Sequence, residues 1–405
     1  MGHVVFKRIA AESVFAGENP PEFMFCHNPV TGAHDPRAIY IDMEPRVLDR
    51  LLGSDENARR WSVSDQAGSG NNWARGYHEH GSQHIEIVEE LIRQQVERCD
   101  VCDGVIFFGS TSGGTGSGLG SRILEMTRDR FDGIPLIPIY VVSSPNHADV
   151  VITPYNELFT ISTFNEYAHV VIPVDNQALA RISEVPFKGC LSYNGINHSI
   201  ASFVSCLTSP MCFPDLADIP CRLTTLKTNL VGSDSRKLLV PSHAAIDTER
   251  NLDSVNKQFD NMFSDLGKYH KNRLLSIDRA TNGSRNTVER ICGFGVITRV
   301  RAGPFSTEDV IRRLHDVKRG LRIHELRSDL VSHVSLKSTR SAATLVGLQN
   351  TSKLSMYLRR VKAQVHRLLD RRSHIHHYTD CMDVGDIEFK FDGIKGMITA
   401  YEEKL

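Results

Sequence analysis

The chain has 405 residues, with 47 Lys and Arg against 48 Asp and Glu and a formal net charge of -1. That length suggests two or three domains at roughly 150 residues each, and the balanced charge argues against both a nucleic-acid partner and a polyanion mimic. With 40% hydrophobic and 23% charged residues, 29 glycines and 16 prolines, it reads as an ordinary globular chain and not a low-complexity one.

The first residues, from Met1 to Gly17, are too polar and too briefly apolar for a secretory signal. The longest apolar stretch, Ile134 to Val142, contains Pro135 and Pro138 and is far short of the roughly 20 residues a membrane span needs. Nine cysteines, an odd and sparse count, fit reduced cytosolic thiols better than a disulfide framework. Membrane and secreted classes are therefore set aside.

In chain order, Ala38 to Asp42 and Gly104 to Gly109 read as short buried strands, as do Ile134 to Val142 and His169 to Asp175. Between the first two, Ile85, Val88, Ile92 and Val96 recur at helical steps. Strand, helix, strand at this spacing predicts an α/β fold with a parallel sheet. Ile196, Ile200, Phe203, Val204 and Leu207 mark a central amphipathic helix. Gly293 to Val300 and Ala342 to Leu348 then read as strands of a second sheet, with a helix over Val310 to Leu321 between them. Near the C-terminus, Leu354, Leu358, Val361, Val365 and Leu368 form one helical stripe. Arg359, Arg360, Lys362 and Arg367 on the other faces read as a solvated surface.

The strongest local signal is Ser110-Thr-Ser-Gly-Gly-Thr-Gly-Ser-Gly-Leu-Gly120, placed directly after one of these strands and before a helical stretch. Glycines there let a backbone approach closely, and the helix N-terminus behind them offers free N–H groups, which is phosphate-binding chemistry. The alternative is a strand-to-helix turn that merely packs tightly. No Lys-Ser/Thr follows for a P-loop, and Leu119 stands where GxGxxG needs its third glycine. A Rossmann dehydrogenase would also need that fingerprint on its first strand and an acid about 20 residues on, and the sequence supplies neither.

This run resembles the GGGTGSG signature of the tubulin family, and the resemblance continues along the chain. Pro36 to Pro45 is similar to the family's acidic segment, and Gly68-Ser-Gly-Asn-Asn-Trp-Ala-Arg-Gly76 to its GxGNNWAxG loop. Thr153 to Asn156, Val174 to Leu179, Ser192 to His198, Leu226 to Val231 and His374 to Tyr378 follow in the family's order. What the resemblance implies is a tubulin-like architecture: a parallel-sheet nucleotide-binding domain over residues 1–190, a core helix over 191–210, an α+β intermediate domain over 211–350, and C-terminal helices over 351–405.

It also implies a site for GTP or GDP with Mg²⁺. Ser110, Gly114, Thr115 and Gly116 would hold phosphate oxygens, Glu44 would face Mg²⁺, and Asn71 would approach the terminal phosphate. Asp149 would meet the ribose, Asn176 and Asn197 the guanine edge, and Tyr193 would stack on the base. The implied partners are other tubulins in head-to-tail contact together with centriolar or microtubule-organising proteins, in the cytoplasm and cytoskeleton, with neither nucleic acid nor membrane. His169 to Leu179, Phe259 to Asp265 and the His374 to Tyr378 run look most like epsilon-tubulin or its minor relatives. Met43 to Val47 and Gly113 to Ser121 look equally like gamma-tubulin. The implied role is microtubule organisation at centrioles or basal bodies. The alternatives are a gamma-like nucleator and a degenerate relative that binds no nucleotide.

Several departures bear on this. The family's opening strand and first glycine loop have no counterpart, and Ser112 replaces a signature glycine. The end at Glu402-Glu-Lys-Leu405 lacks the acidic tail of the bulk lattice subunits. In the family, a later loop carries carboxylates that trigger hydrolysis on a neighbouring subunit. Here Pro220, Arg222 and Thr225 stand in their places, and neither a cation nor a hydroxyl can polarise an attacking water as a carboxylate does. Nucleotide binding without clear GTPase activity is the expectation. Cys99-Asp-Val-Cys102 has no second pair at zinc-binding spacing and reads as free thiols. His374, His376, His377 and Cys381 read as the entry to the last helix and not as a metal cluster.

Overall fold

The computed structural model describes residues 1–29, 31–143, 150–183, 193–219, 221–246, 273–275, 290–301, 308, 312, 329–336 and 343–403. The chain opens with helix α1 (Gly2–Ala16), closed by Gly17 in the left-handed conformation (φ 75°), whose N–H reaches the carbonyls of Ser13 and Val14. A small antiparallel pair follows, β1 (Phe25–His27) with β2 (His34–Pro36). Next come β3 (Tyr40–Ile41), helices α2 (Pro45–Leu52) and α3 (Glu56–Arg60), and β4 (Ser62–Val63). Pro45 opens α2, where its missing N–H costs nothing. β3 and β4 pair in parallel, Tyr40 opposite Ser62.

Helix α4 (Gly81–Glu97), strand β5 (Val105–Ser110), helix α5 (Gly120–Arg130) and strand β6 (Leu136–Val142) come next, then helix α6 (Thr153–Tyr167) and strand β7 (Ile172–Asp175). β5, β6 and β7 form a parallel sheet in that order. This is the predicted α/β grammar. Every residue of β6 is buried, as a central parallel strand requires. β5, at one edge of its sheet, departs from the expected buried strand: it is only half-buried along its length, whereas β7 at the other edge is buried throughout.

Helix α7 (Asn176–Ser183) leads on to the central helix α8 (Tyr193–Cys212) and then α9 (Leu223–Leu230). A four-stranded mixed sheet follows, built from β8 (Val240–Ile246), β9 (Ile291–Arg301), β10 (Asp329–Leu336) and β11 (Ala343–Thr351) in the order β10-β9-β11-β8. The helix expected over Val310 to Leu321 lies almost wholly outside the described residues. The chain closes with α10 (Leu354–Asp370), α11 (His376–Thr379) and α12 (Val384–Glu402).

Among the described residues, two large cores and a smaller one around Met43, Val63, Val88 and Leu119 hold these layers. Ile200, Phe203, Val204 and Leu207 of α8 pack between α1, β6 and the mixed sheet, whose Ile297, Val334 and Val346 face them. The second core joins α6 to the C-terminal helices through Phe159, Phe164, Tyr357, Leu358, Val361 and Ile394. On the basic face of α10, Arg359 pairs with Glu402 at the end of α12 (2.6 Å), and the Arg360 guanidinium lies over the Tyr357 ring. That face is thus tied in part to the protein. No helix among the described residues is long and apolar enough to cross a membrane.

Buried histidines make this fold sensitive to acid. The backbone N–H of Leu136 donates to Nδ1 of His169 (3.0 Å), and burial beside Arg128 lowers the His169 pKa to about 4. Burial likewise lowers His243 to about 3. Both stay neutral in the fold and take up protons once unfolded, near the ordinary histidine value of about 6.5. Their contribution is therefore complete above about pH 6.5 and falls as the pH drops towards 4, by at most about 1.4 kcal/mol per pH unit per histidine. His169→Gln should flatten the pH dependence of urea stability in that window. An unchanged slope would count against this assignment.

Candidate functional site

Three loops meet at the carboxyl ends of parallel strands, where open α/β sheets carry their ligands. The first leaves β3 and brings Asp42 and Glu44. The second leaves β4 and runs through Gly68 to Asn72. The third leaves β5 and runs from Ser110 to Gly116 into a π-helical turn (Thr115–Leu119) that leads directly into α5.

The loops interlock closely. A side chain at Gly68 would sit 3.6 Å from Cγ of the exposed Glu44. The Ser69 and Thr115 hydroxyls are 3.1 Å apart, and the Ser112 N–H donates to Ser110 Oγ at 3.2 Å. A Cβ at Gly114 would meet Ser69 Cβ at 2.4 Å and the Asn72 carbonyl at 2.7 Å. One at Gly116 would meet the Ser110 N at 2.9 Å, and one at Gly118 the Trp73 carbonyl at 2.1 Å. These three glycines therefore serve the approach of the protein's own loops. Gly113 alone in this run opens outward, with Asn71 Oδ1 3.8 Å away as its nearest neighbour. Gly70 and Asn71 both have positive φ (55° and 53°), which turns the exposed Asn71 side chain outwards over this face.

Asn156, fully buried on α6, holds the second and third loops together. Its Nδ2 donates to the carbonyls of Asn71 (2.6 Å) and Ser112 (3.1 Å). Its Oδ1 accepts from the Trp73 N–H (2.9 Å) and the Tyr378 hydroxyl (2.7 Å). Sequence reading treats Thr153 to Asn156 and His374 to Tyr378 only as marks of resemblance, and misses both as supports of the site. The carboxylates are separated in character: burial raises the Asp42 pKa, while Asp42 Oδ1 accepts the Glu44 backbone N–H at 3.0 Å.

The structure thus brings together Glu44, Asn71, Ser110, Gly114, Thr115 and Gly116. Asn176 opens α7 and the part-exposed Asn197 lies on α8, two helices that pack on each other. Asp149 and the Tyr193 side chain lie outside the described residues. Of the hydrolysis-loop positions, Pro220 also lies outside. Arg222 is exposed at the start of α9, and the Thr225 hydroxyl accepts the Arg222 backbone N–H (3.1 Å), so it caps its own helix. Cys99 and Cys102 form no disulfide, and burial raises both pKa values.

Residues 12–184, which contain all three loops, match the Tubulin/FtsZ family, GTPase domain. Over this stretch the chain is similar to the GTPase domain of the tubulins. The Homo sapiens tubulin beta-1 chain is 25% identical over 386 residues, covering 91% of this chain and 81% of its own. The Mus musculus tubulin epsilon chain is 26% identical over 402 residues, covering 91% and 82%. The Chondrus crispus tubulin beta-1 chain is 30% identical over 251 residues, covering 59% and 54%. Beta and epsilon chains stand at the same distance from this chain, so these matches do not single out an epsilon-like branch.

Proposed function

We propose that this chain is a tubulin relative that binds GTP or GDP and acts as a cytoskeletal subunit that organises microtubules, at centrioles or basal bodies in the cytoplasm. The single observation that supports this most is the meeting of three loops at the carboxyl ends of parallel strands, with a helix N-terminus behind them. In this reading Ser110, Gly114, Thr115 and Gly116 face phosphate oxygens and Asn71 the terminal phosphate. Asp149 meets the ribose, Asn176 and Asn197 read the guanine edge, and Tyr193 stacks on the base. Glu44, with Asp42 beside it, offers the hard oxygen donors that Mg²⁺ takes. Partners are other tubulins stacked head to tail, and centriolar proteins. The division at residues 190, 210 and 350 belongs to the same proposal. Because Arg222 and Thr225 offer no carboxylate, triggering hydrolysis on a neighbour is not part of the role.

A second reading, the tubulin fold without nucleotide, draws on the glycines whose Cβ space is filled by the chain's own backbone. Displacement of a fluorescent GDP analogue separates the two. GTP and GDP should compete and ATP should not, and Thr115→Val, which removes one hydroxyl, should weaken binding about tenfold, the worth of one hydrogen bond to a charged group. Failure of folded protein to bind the analogue would favour the second reading.

A further inference from the structure

Behind the second loop, on the first turns that lead into α4, a buried histidine makes no hydrogen bond with either ring nitrogen. His80 is 3% exposed, and neither Nδ1 nor Nε2 makes a hydrogen bond. A buried imidazole with two idle nitrogens is costly unless something takes up a lone pair. Two further donors are aimed at the same point. Asp65, just ahead of Gly68, places Oδ2 3.5 Å from His80 Nδ1 and 3.0 Å from His84 Nε2. His80 and His84 stand one helical turn apart with their rings nearly parallel, 16° between planes and 6.1 Å between centroids.

We propose that Asp65, His80 and His84 bind one divalent first-row transition ion, with zinc as the ion of choice. Among the described residues, theirs is the one group of His, Cys and acidic side chains whose ligand atoms all lie within 4.8 Å of one another. Around tetrahedral zinc, with bonds of about 2.0–2.1 Å, donor atoms stand about 3.3 Å apart. The two oxygen–nitrogen separations bracket that value, and bringing the two imidazole nitrogens from within 4.8 Å to the same spacing completes the geometry. Two imidazoles and one carboxylate suit zinc and its first-row neighbours, whereas Mg²⁺ prefers an all-oxygen shell. The Asp65 side chain is 27% exposed and His84 15%, so the fourth position opens towards solvent and a water fits there. The ion would pin the loop that carries Ser69 and Asn71 onto α4. None of this depends on the nucleotide reading, since the three ligands lie outside the phosphate-facing residues.

The test uses the full chain, stripped with a chelator and returned to buffer with excess Mg²⁺. Zn²⁺ titration followed by calorimetry should give one equivalent per chain and a raised thermal midpoint. Co²⁺ should give the visible absorption of a tetrahedral site. His84→Gln and Asp65→Asn, both at part-exposed positions that need no core repacking, should each weaken binding about tenfold or more. A His374→Gln, His377→Gln double variant removes the other histidine cluster and should leave binding unchanged. Zinc binding that survives in both ligand variants, or that disappears with the His374 and His377 pair, would overturn the proposal. So would the absence of any stoichiometric binding by the folded native chain.

Discussion

Glu12→Ala should destabilise the protein by about 3–5 kcal/mol, the usual cost of stranding a buried charge. Glu12 on α1 is 7% exposed and Arg299 on β9 is 2% exposed. The guanidinium grips the carboxylate with two nitrogens (2.5 and 3.2 Å), Ser205 of α8 donates to the same carboxylate, and Arg8 pairs with it at 2.8 Å. One carboxylate therefore binds the first helix, the central helix and the mixed sheet. Its removal leaves Arg299 charged in the core, whereas Arg8, at 21% exposure, can turn towards water. Against a typical total stability of 5–15 kcal/mol this loss is large. A Glu12→Leu, Arg299→Met pair removes both buried charges and should recover most of the stability, which separates a stranded charge from a misfolded variant. Urea unfolding measures both. A loss below about 1 kcal/mol for Glu12→Ala would show that the network contributes little.

Asn156→Ala should cost about 3 kcal/mol or more, because unmade buried hydrogen bonds cost about 1–3 kcal/mol each. It strands the Trp73 N–H and the carbonyls of Asn71 and Ser112, while the Tyr378 hydroxyl keeps the Ile152 carbonyl at 3.3 Å. Asn156→Asp preserves shape but turns a donor into an acceptor opposite two carbonyls, so it should fail almost as badly. Hydrogen exchange should show the damage first as lost protection at Trp73 and Ala74, whose N–H groups bond Asn156 Oδ1 and Asn72 Oδ1. Unchanged exchange in Asn156→Ala would mean that the loops hold each other without it.

How legible these features are in the sequence follows from how local they are. The stripe of α4, the apolar run of β6 and the glycine loop before α5 each state themselves within one window of sequence. The half-burial of β5 does not, because burial is decided by what packs on the strand and not by the residues Val105 to Ser110 themselves. β3 and β4 have two residues each, too few for a period to register. Asn156 is invisible for a related reason: its partners come from residues 71–73, 112 and 378, and no local pattern marks a side chain that ties three distant segments. The glycine run shows a subtler limit. Composition correctly marks close backbone approach, yet for Gly114 and Gly118 the approaching group is the chain's own 69–73 segment, and for Gly116 it is the backbone of Ser110. His80 and His84 could have been noticed, since they are four residues apart at the start of a helical stripe. Asp65 could not, because a turn of unknown geometry separates it from them.

In the proposed role the three loops form a guanine nucleotide site. The most direct measurement is the nucleotide content of the full chain, purified in Mg²⁺ without added nucleotide, then denatured by heat and analysed for what it releases. The expected result is GDP or GTP approaching one per folded chain and no adenine nucleotide. Folded protein that releases adenine nucleotide, or none at all and cannot be loaded with GTP, would contradict it.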